Sequence, residues 1–188
     1  MLNKTRPERK TQNRVISLFT DKKNSNYLGY EYLGDWSKNE NNQCIETDLL
    51  KKNLKKRSYS DQLISAALYE LQVATDVTGR SLYQANLRTY QLLRYGVSVQ
   101  ISVDKPHEQV HLIDWENPEN NDFALAEEVT LRGGYERRPD IVLYVNGIAV
   151  TVIELKRSSI DVAHGIRQLR TNQEKIFNEN FFPTVQLL

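Results

Sequence analysis

Two β-rich runs around Asn146-Gly147 constrain this chain more than any other feature. Ile141-Val142-Leu143-Tyr144-Val145 leads into the pair, and Ile148-Ala149-Val150-Thr151-Val152-Ile153-Glu154-Leu155-Lys156 leads out of it. Asn-Gly supplies the positive φ that both central positions of a type I′ turn require, so the runs are read as a hairpin. The second run is apolar almost throughout up to Glu154, as a central strand buried on both faces would be.

The rest of the chain is read around that hairpin. Pro7 and Glu8 suit a first helical turn, by fixed backbone angle and by charge, and Thr5 can cap it; a helix is expected from about 6 to 19. Tyr27 to Trp36 is aromatic and Gly-punctuated, a short strand, and Ser37 to Gln43 reads as a loop. Leu63, Ile64, Ala67, Leu68 and Leu71 place a helix over Asp61–Ala74, and Leu82, Ala85, Leu87, Tyr90 and Leu93 place another over Ser81–Arg94. Gly79 separates them and Gly96 ends the second. Their apolar stripes are expected to pack on one face of a sheet. Val97, Val99, Ile101 and Val103 then alternate with polar residues, a half-buried strand. Val110, Leu112 and Ile113 indicate a further strand, and Phe123 to Leu131 another, with the turn-rich 117–122 between them. Ser159 can cap a helix running to about Phe177. Pro183 to Leu188 starts another apolar run, and the sequence is expected to be part of a longer protein.

The 188 residues suit one domain. At 39% hydrophobic and 26% charged, the composition is globular, neither disordered nor fibrous. No stretch approaches the roughly 20 apolar residues of a membrane span, so no membrane partner is expected. The first ten residues lack the apolar core of a secretory signal. Cys44 stands alone, and a reduced, cytoplasmic setting is expected. Net charge is +1, from 25 basic and 24 acidic residues, but the charges are unevenly spread. Residues 1–14, 51–57 and 156–175 are basic and 114–128 acidic. Each run reads as a solvated surface unless several converge on something anionic.

Three charged residues stand oddly in the hairpin. Asp140 opens the first strand after Arg137-Arg138-Pro139, and Glu154 and Lys156 end the second. Alternation puts Glu154 and Lys156 on one face, about 7 Å apart along the strand. Pairing through the turn sets Val145 opposite Ile148 and carries Asp140 opposite Ile153, one residue from Glu154. A bulge or a splayed strand end is therefore needed to bring both carboxylates to one point. Two carboxylates so placed can hold Mg²⁺, an oxygen-seeking cation that keeps several waters and binds phosphate. A nearby ammonium can orient water or offset charge on a phosphoryl transition state. The alternative is an ion pair capping a strand end.

Arg138-Pro139-Asp140 followed by Ile153-Glu154-Leu155-Lys156 resembles the PD-(D/E)xK nuclease motif. Glu8-Arg9-Lys10-Thr11-Gln12, Leu92-Leu93-Arg94-Tyr95-Gly96, Asn121-Asp122-Phe123, residues 138–147 and Glu154-Leu155-Lys156-Arg157-Ser158 together resemble the amino-terminal region of the R subunit of type I restriction–modification enzymes. The likeness runs over essentially the whole chain. It implies an α/β restriction-endonuclease-like core, a central mixed sheet flanked by helices, with residues 1–188 as one endonuclease domain ahead of a helicase-like motor. It implies Mg²⁺-dependent cleavage of double-stranded DNA, with Mn²⁺ able to substitute. Asp140 and Glu154 would be metal ligands, the Leu155 carbonyl a further one, and Lys156 the catalytic lysine. Methyltransferase and specificity subunits would choose the target. ATP would serve the full-length enzyme alone, because no Gly-x-x-x-x-Gly-Lys-[Ser/Thr] phosphate loop occurs here.

RecB-like nucleases often carry Gln-x-x-x-Tyr on the helix after the lysine. Gln168 stands in that helix, but Asn172 takes the place of the Tyr, and Gln173 with Phe177 fits less well. Gln168 is a candidate for DNA or site support, with Arg138, Arg157, Arg167 and Arg170. Glu8 lies where such nucleases can supply an acid from the first helix. It also suits a first helical turn with no other role. His107, His111 and His164 are too scattered for zinc. The ten tyrosines lie mostly beside apolar residues and are read as packing. A RecB-like repair nuclease and a non-catalytic DNA-binding or assembly module of the same fold are the alternative readings.

Overall fold

The computed structural model describes residues 7–156, 162–174 and 178–188. In chain order the elements are α1 (Pro7–Thr20), β1 (Glu31–Asp35), α2 (Thr47–Lys56), α3 (Asp61–Thr75), α4 (Leu82–Tyr95), β2 (Val97–Val99), β3 (Glu108–Val110), β4 (Phe123–Glu127), β5 (Ile141–Val145), β6 (Ile148–Ile153) and α5 (Val162–Asn172). The central sheet runs β1-β4-β5-β6, and β2 and β3 form a separate ribbon. β1 is parallel to β4, whereas β4, β5 and β6 are antiparallel to their neighbours. This is the mixed sheet flanked by helices expected of a restriction-endonuclease-like core.

Strand alternation assigns the two faces. Ala124, Ala126, Val142, Tyr144 and Val152 join the larger core with α2, α3 and α4. Leu125, Ile141 and Leu143 face Val15, Ile16 and Phe19 of α1. The hairpin is buried from Ile141 to Ala149, its turn included. Asn146 (φ 53°) and Gly147 (φ 81°) both take the positive φ of a type I′ turn. The turn is gripped from two sides. Asn146 Nδ2 donates to Leu112 O and Asn121 Oδ1, both at 2.8 Å, and Asn146 Oδ1 accepts from the Asp122 amide at 2.7 Å. On the other side Glu46 N donates to Gly147 O at 2.7 Å, which docks the start of α2.

Ser60 caps α3, and Ser81 with Gln84 forms a capping box that opens α4. Gly96 ends α4 with φ 83°, against Val110 O. Two strands are shorter than their alternation predicts. β2 stops at Val99 because Gln100 Nε2 donates to Val103 O and Lys105 O, folding 100–105 into a turn with Val103 exposed. β4 stops at Glu127 because Glu128 turns to φ 53° and its amide donates to Asp140 O instead of continuing the ladder. Helix α2 was read only as a basic run. Leu50 and Leu54, one turn apart and fully buried, carry it into the core.

The charge blocks turn out to be partners. Lys55 pairs with Asp61, Lys56 with Asp122, and Arg57 lies 4.0 Å from Asp114 and donates to His111 O. Among the described residues no helix is long and apolar enough to cross a membrane. The helix caps expected at Thr5 and Ser159 lie outside the described residues.

Gly147→Ala should destabilise the chain. A Cβ there would stand 2.7 Å from Glu46 O and from Leu49 Cβ, at a backbone angle that itself costs an L-residue about 1–2 kcal/mol. Urea unfolding should place the variant at least that much below the parent; equal midpoints would mean that the turn does not hold α2.

Candidate functional site

One extra residue in β6 decides what meets at the far end of the hairpin. Next to the turn Val145 pairs with Ile148 and Tyr144 with Ala149, but Leu143 then pairs with Thr151 and Ile141 with Ile153. Val150 is the unpaired residue of this bulge. Its carbonyl is used elsewhere, accepting from the amides of Gln186 and Leu187, so the C-terminal segment lies along the outer side of β6. Continued one step past Ile141–Ile153, the shifted register sets Asp140 opposite Glu154. The bulge that the sequence required is thus present. Asp140 Oδ2 accepts from the amide of Leu155 at 2.6 Å, which ties the two strand ends together.

Helix α5 covers this end. Gln168 Nε2 donates to Glu154 Oε2 at 2.9 Å, and Asn172 Nδ2 donates to Glu154 Oε1 at 3.3 Å. The spacing of four places both amides on one helix face. Lys156 Nζ stands 3.6 Å from Glu154 Oε2. The Glu154 side chain is only 1% exposed, that of Lys156 21%. Gly165 is buried in α5, and a Cβ there would meet the Lys156 stem at 3.5 Å. In front of these groups lies a cleft of about 610 Å³, lined by Glu8, Arg137, Lys156, His164, Arg167, Gln168, Thr171 and Asn172.

The electrostatics follow from burial of like charges. Burial, and then the charge of Asp140, push Glu154 from an ordinary 4.5 up to about 7, against the pull of Lys156 and Gln168. Burial also raises the Asp140 carboxyl. The Leu155 amide and Lys156 oppose that rise, and Glu128 and Glu8 add to it. Two carboxylates that resist ionisation together, with one ammonium beside them among the described residues, form a site short of positive charge.

The first helix reaches the same place through a second cluster. Arg9 pairs with the buried Glu127 through both guanidinium nitrogens, at 2.5 and 3.1 Å, and Tyr32 donates its hydroxyl to Glu127 Oε1. Gln12 Nε2 lies within hydrogen-bond distance of Glu127 Oε2, Glu128 Oε1 and Asp140 O. Arg138 Nε contacts Glu128 Oε2 at 2.9 Å.

Asp140, Glu154, Lys156 and Gln168 therefore come together, with Glu8 and Arg167 on the cleft wall. Arg138 instead turns to Glu128. Arg170 is exposed in the last turn of α5 and does not line the cleft. Leu155 meets Asp140 through its amide. Arg157 and Phe177 lie outside the described residues. The reading by motif missed Asn172, which had seemed only a departure from Tyr, and it missed His164, Gln12 and Glu127. Glu127 could have been found, because alternation from buried Leu125 points it at α1.

Among the described residues no group of three or more His, Cys, Asp and Glu side chains forms a cage for a metal. The donor set fits Mg²⁺ rather than a cation needing full protein coordination. Mg²⁺ takes one or two carboxylates and keeps several waters. Asp140 and Glu154 would offer the oxygens, and the cleft in front of Lys156 and Gln168 would offer room for water.

Comparison with known proteins identifies the family of the chain. The model of the family described as the type I restriction enzyme R protein N terminus matches residues 7–188. The HindI type I restriction enzyme endonuclease subunit of Haemophilus influenzae is 36% identical over 98 residues, 48% of this chain and 9% of that protein. A Methanocaldococcus jannaschii protein named for the MjaVIIP type I restriction enzyme endonuclease subunit is 34% identical over 97 residues, 50% of this chain and 9% of that protein. The matched stretches thus span about a tenth of these relatives' length. With the family model matched from the first described helix to the last residue, this chain belongs to the family of type I restriction enzyme R protein N-terminal regions.

Proposed function

We propose that this chain is the Mg²⁺-dependent endonuclease module of a type I restriction enzyme R subunit, cleaving double-stranded DNA. The observation that carries the reading is the bulge at Val150, which puts Asp140 opposite Glu154 with Lys156 beside them. Asp140 and Glu154, with the Leu155 carbonyl as a further donor, would hold Mg²⁺, which when bound would polarise a phosphodiester and make a water more acidic. Lys156, on the cleft wall, would orient an attacking water or offset charge developing on the phosphoryl oxygens. Gln168 and Asn172 hold Glu154 in place, and Glu8 adds a carboxylate from the cleft wall. Arg137, His164 and Arg167 line a path for the flanking phosphates.

The match along residues 7–188 supports an R subunit over a RecB-like repair nuclease. Binding at this cleft engages phosphates without reading sequence. Target choice is assigned to separate methyltransferase and specificity subunits, and ATP use to the rest of a longer R subunit. A domain that only binds DNA or assembles with partners has no need of two part-buried carboxylates set against each other.

Asp140→Ala or Glu154→Ala should abolish plasmid cleavage by the full-length enzyme while leaving its ATP hydrolysis intact. Near-normal cleavage by either variant would reject the assignment. Lys156→Ala should also stop cleavage, yet its Mn²⁺ titration should match the parent's, because the ammonium acts on water or phosphate and not on the cation. Collapse of metal affinity in that variant would give the lysine a structural role instead.

The raised Glu154 carboxyl predicts a pH signature without metal. In the unfolded chain it titrates near its ordinary value of 4.5, in the folded chain at about 7. The folded state then binds the proton more tightly. Its advantage is full below about 4.5 and is lost as pH rises through 7. Glu154→Gln does not titrate and escapes that loss. Its thermal midpoint, relative to the parent in metal-free buffer, should therefore rise from pH 5 to pH 8. A difference that stays level across that range would show that Glu154 is not held against ionisation.

A further inference from the structure

Gln12 is 3% exposed, and among the described residues its Nε2 lies against three oxygen acceptors: Glu127 Oε2 at 3.0 Å, Glu128 Oε1 at 3.1 Å and Asp140 O at 3.1 Å. Only the NH₂ end can point there. A buried amide is costly unless its hydrogen bonds are made, so this one occupies a place built for it. Anchoring α1 does not need it, since Arg9 already binds Glu127 through two nitrogens and Val15, Ile16 and Phe19 pack on the sheet. What Gln12 adds is the contact with the main chain of Asp140. The Asp140 carbonyl otherwise accepts only from the Glu128 amide among the contacts described, at 3.0 Å. Glu128 itself stands at φ 53°, a backbone shape that needs its neighbours to hold it. Gln12 spans both residues and braces the backbone at the point where the Asp140 side chain leaves it. One helical turn earlier on the same face stands Glu8, on the cleft wall.

We propose that Gln12 is a positioning residue for the site: it sets where the Asp140 carboxylate stands and where α1 presents Glu8. The proposal rests on the reading of Asp140 as a site carboxylate and adds a contact from outside the nuclease motif. It also gives a task to the Glu8-Arg9-Lys10-Thr11-Gln12 segment. Arg9 fastens the helix, Gln12 registers it against Asp140, and Glu8 faces the cleft.

The test compares the parent chain with Gln12→Met, which keeps length and removes both donors. Lys10→Met serves as a control, because Lys10 is exposed on the same helix. Two readouts are taken well below the unfolding midpoint. The first is the Mn²⁺ dissociation constant. The second is the proton shift and hydrogen exchange of the Leu155 amide in metal-free buffer, which reports the 2.6 Å bond to Asp140 Oδ2. Gln12→Met should raise the Mn²⁺ dissociation constant about tenfold, as removal of partners behind a metal ligand does. It should also move the Leu155 amide proton upfield and speed its exchange, while Lys10→Met changes neither. A lower unfolding midpoint with Leu155 and Mn²⁺ binding unchanged would overturn the proposal and leave Gln12 as a fastening of α1. If the parent binds no Mn²⁺, the metal reading fails, and the Leu155 amide alone decides on Gln12: moved supports it, unmoved overturns it. Should Gln12→Met not fold, Gln12→Asn withdraws the amide by one methylene and is read in the same way.

Discussion

A strand pair twisted around a two-residue turn can bring together only those side chains that its register allows. Here Val145–Ile148 starts a register that would leave Asp140 and Glu154 on opposite faces, and the extra residue Val150 shifts it by one. Everything at the far end depends on that shift. It sets Asp140 across from Glu154, lets the Leu155 amide reach Asp140 Oδ2, and leaves Lys156 beside Glu154. Because side-chain direction alternates with a period of two, loss of the bulge would turn one carboxylate into the other core instead of merely displacing it. The bulge is held from outside the pair, by the amides of Gln186 and Leu187 on the Val150 carbonyl. The C-terminal segment therefore takes part in setting the site, though none of its residues lies in the cleft.

The second constraint is charge. Holding two carboxylates out of water opposes folding, and the fold offsets it with donors from every side. The Leu155 amide comes from the hairpin, Gln168 and Asn172 from α5, and Lys156 from just past the strand end. Hydrogen bonds to charged groups contribute about 1.5–3 kcal/mol each, enough to keep the pair in place without neutralising it. The cluster around Glu127 and Glu128 differs in kind. Arg9, Tyr32, Gln12 and Arg138 satisfy those two acids, so they serve as an anchorage. These acids thus divide between scaffold and site according to whether an arginine pairs with them.

Much of this was legible beforehand, and the limits have physical causes. The hairpin followed from turn chemistry, and the pairs of α3 and α4 from helical spacing. The meeting of Asp140, Glu154 and Lys156 followed from alternation, given a bulge whose position was not readable. Val150 is an ordinary β-branched residue, and its displacement depends on a segment more than thirty residues later. Helix α2 was hidden by its lysines, because two buried leucines make a weak stripe in ten residues. The role of Asn172 was obscured by comparison with a tyrosine motif. An amide there reaches Glu154 directly. Gln12 carries no signal of its own, since its partners lie on β4 and at the start of β5, and one of them is a main-chain carbonyl.

The Arg9–Glu127 pair joins residues 118 positions apart. At synthesis rates of about 5–20 residues per second, Glu127 follows Arg9 after an interval on the order of ten seconds. Through that interval the first helix has only the neighbouring β1 segment to lie on, because β4 and β5 do not yet exist. The Arg9 anchorage of α1 is thus made only once β4 has been synthesised, and the cleft wall carrying Glu8 waits on it. A nascent or truncated chain lacking the hairpin would hold these acidic and basic residues without gathering them.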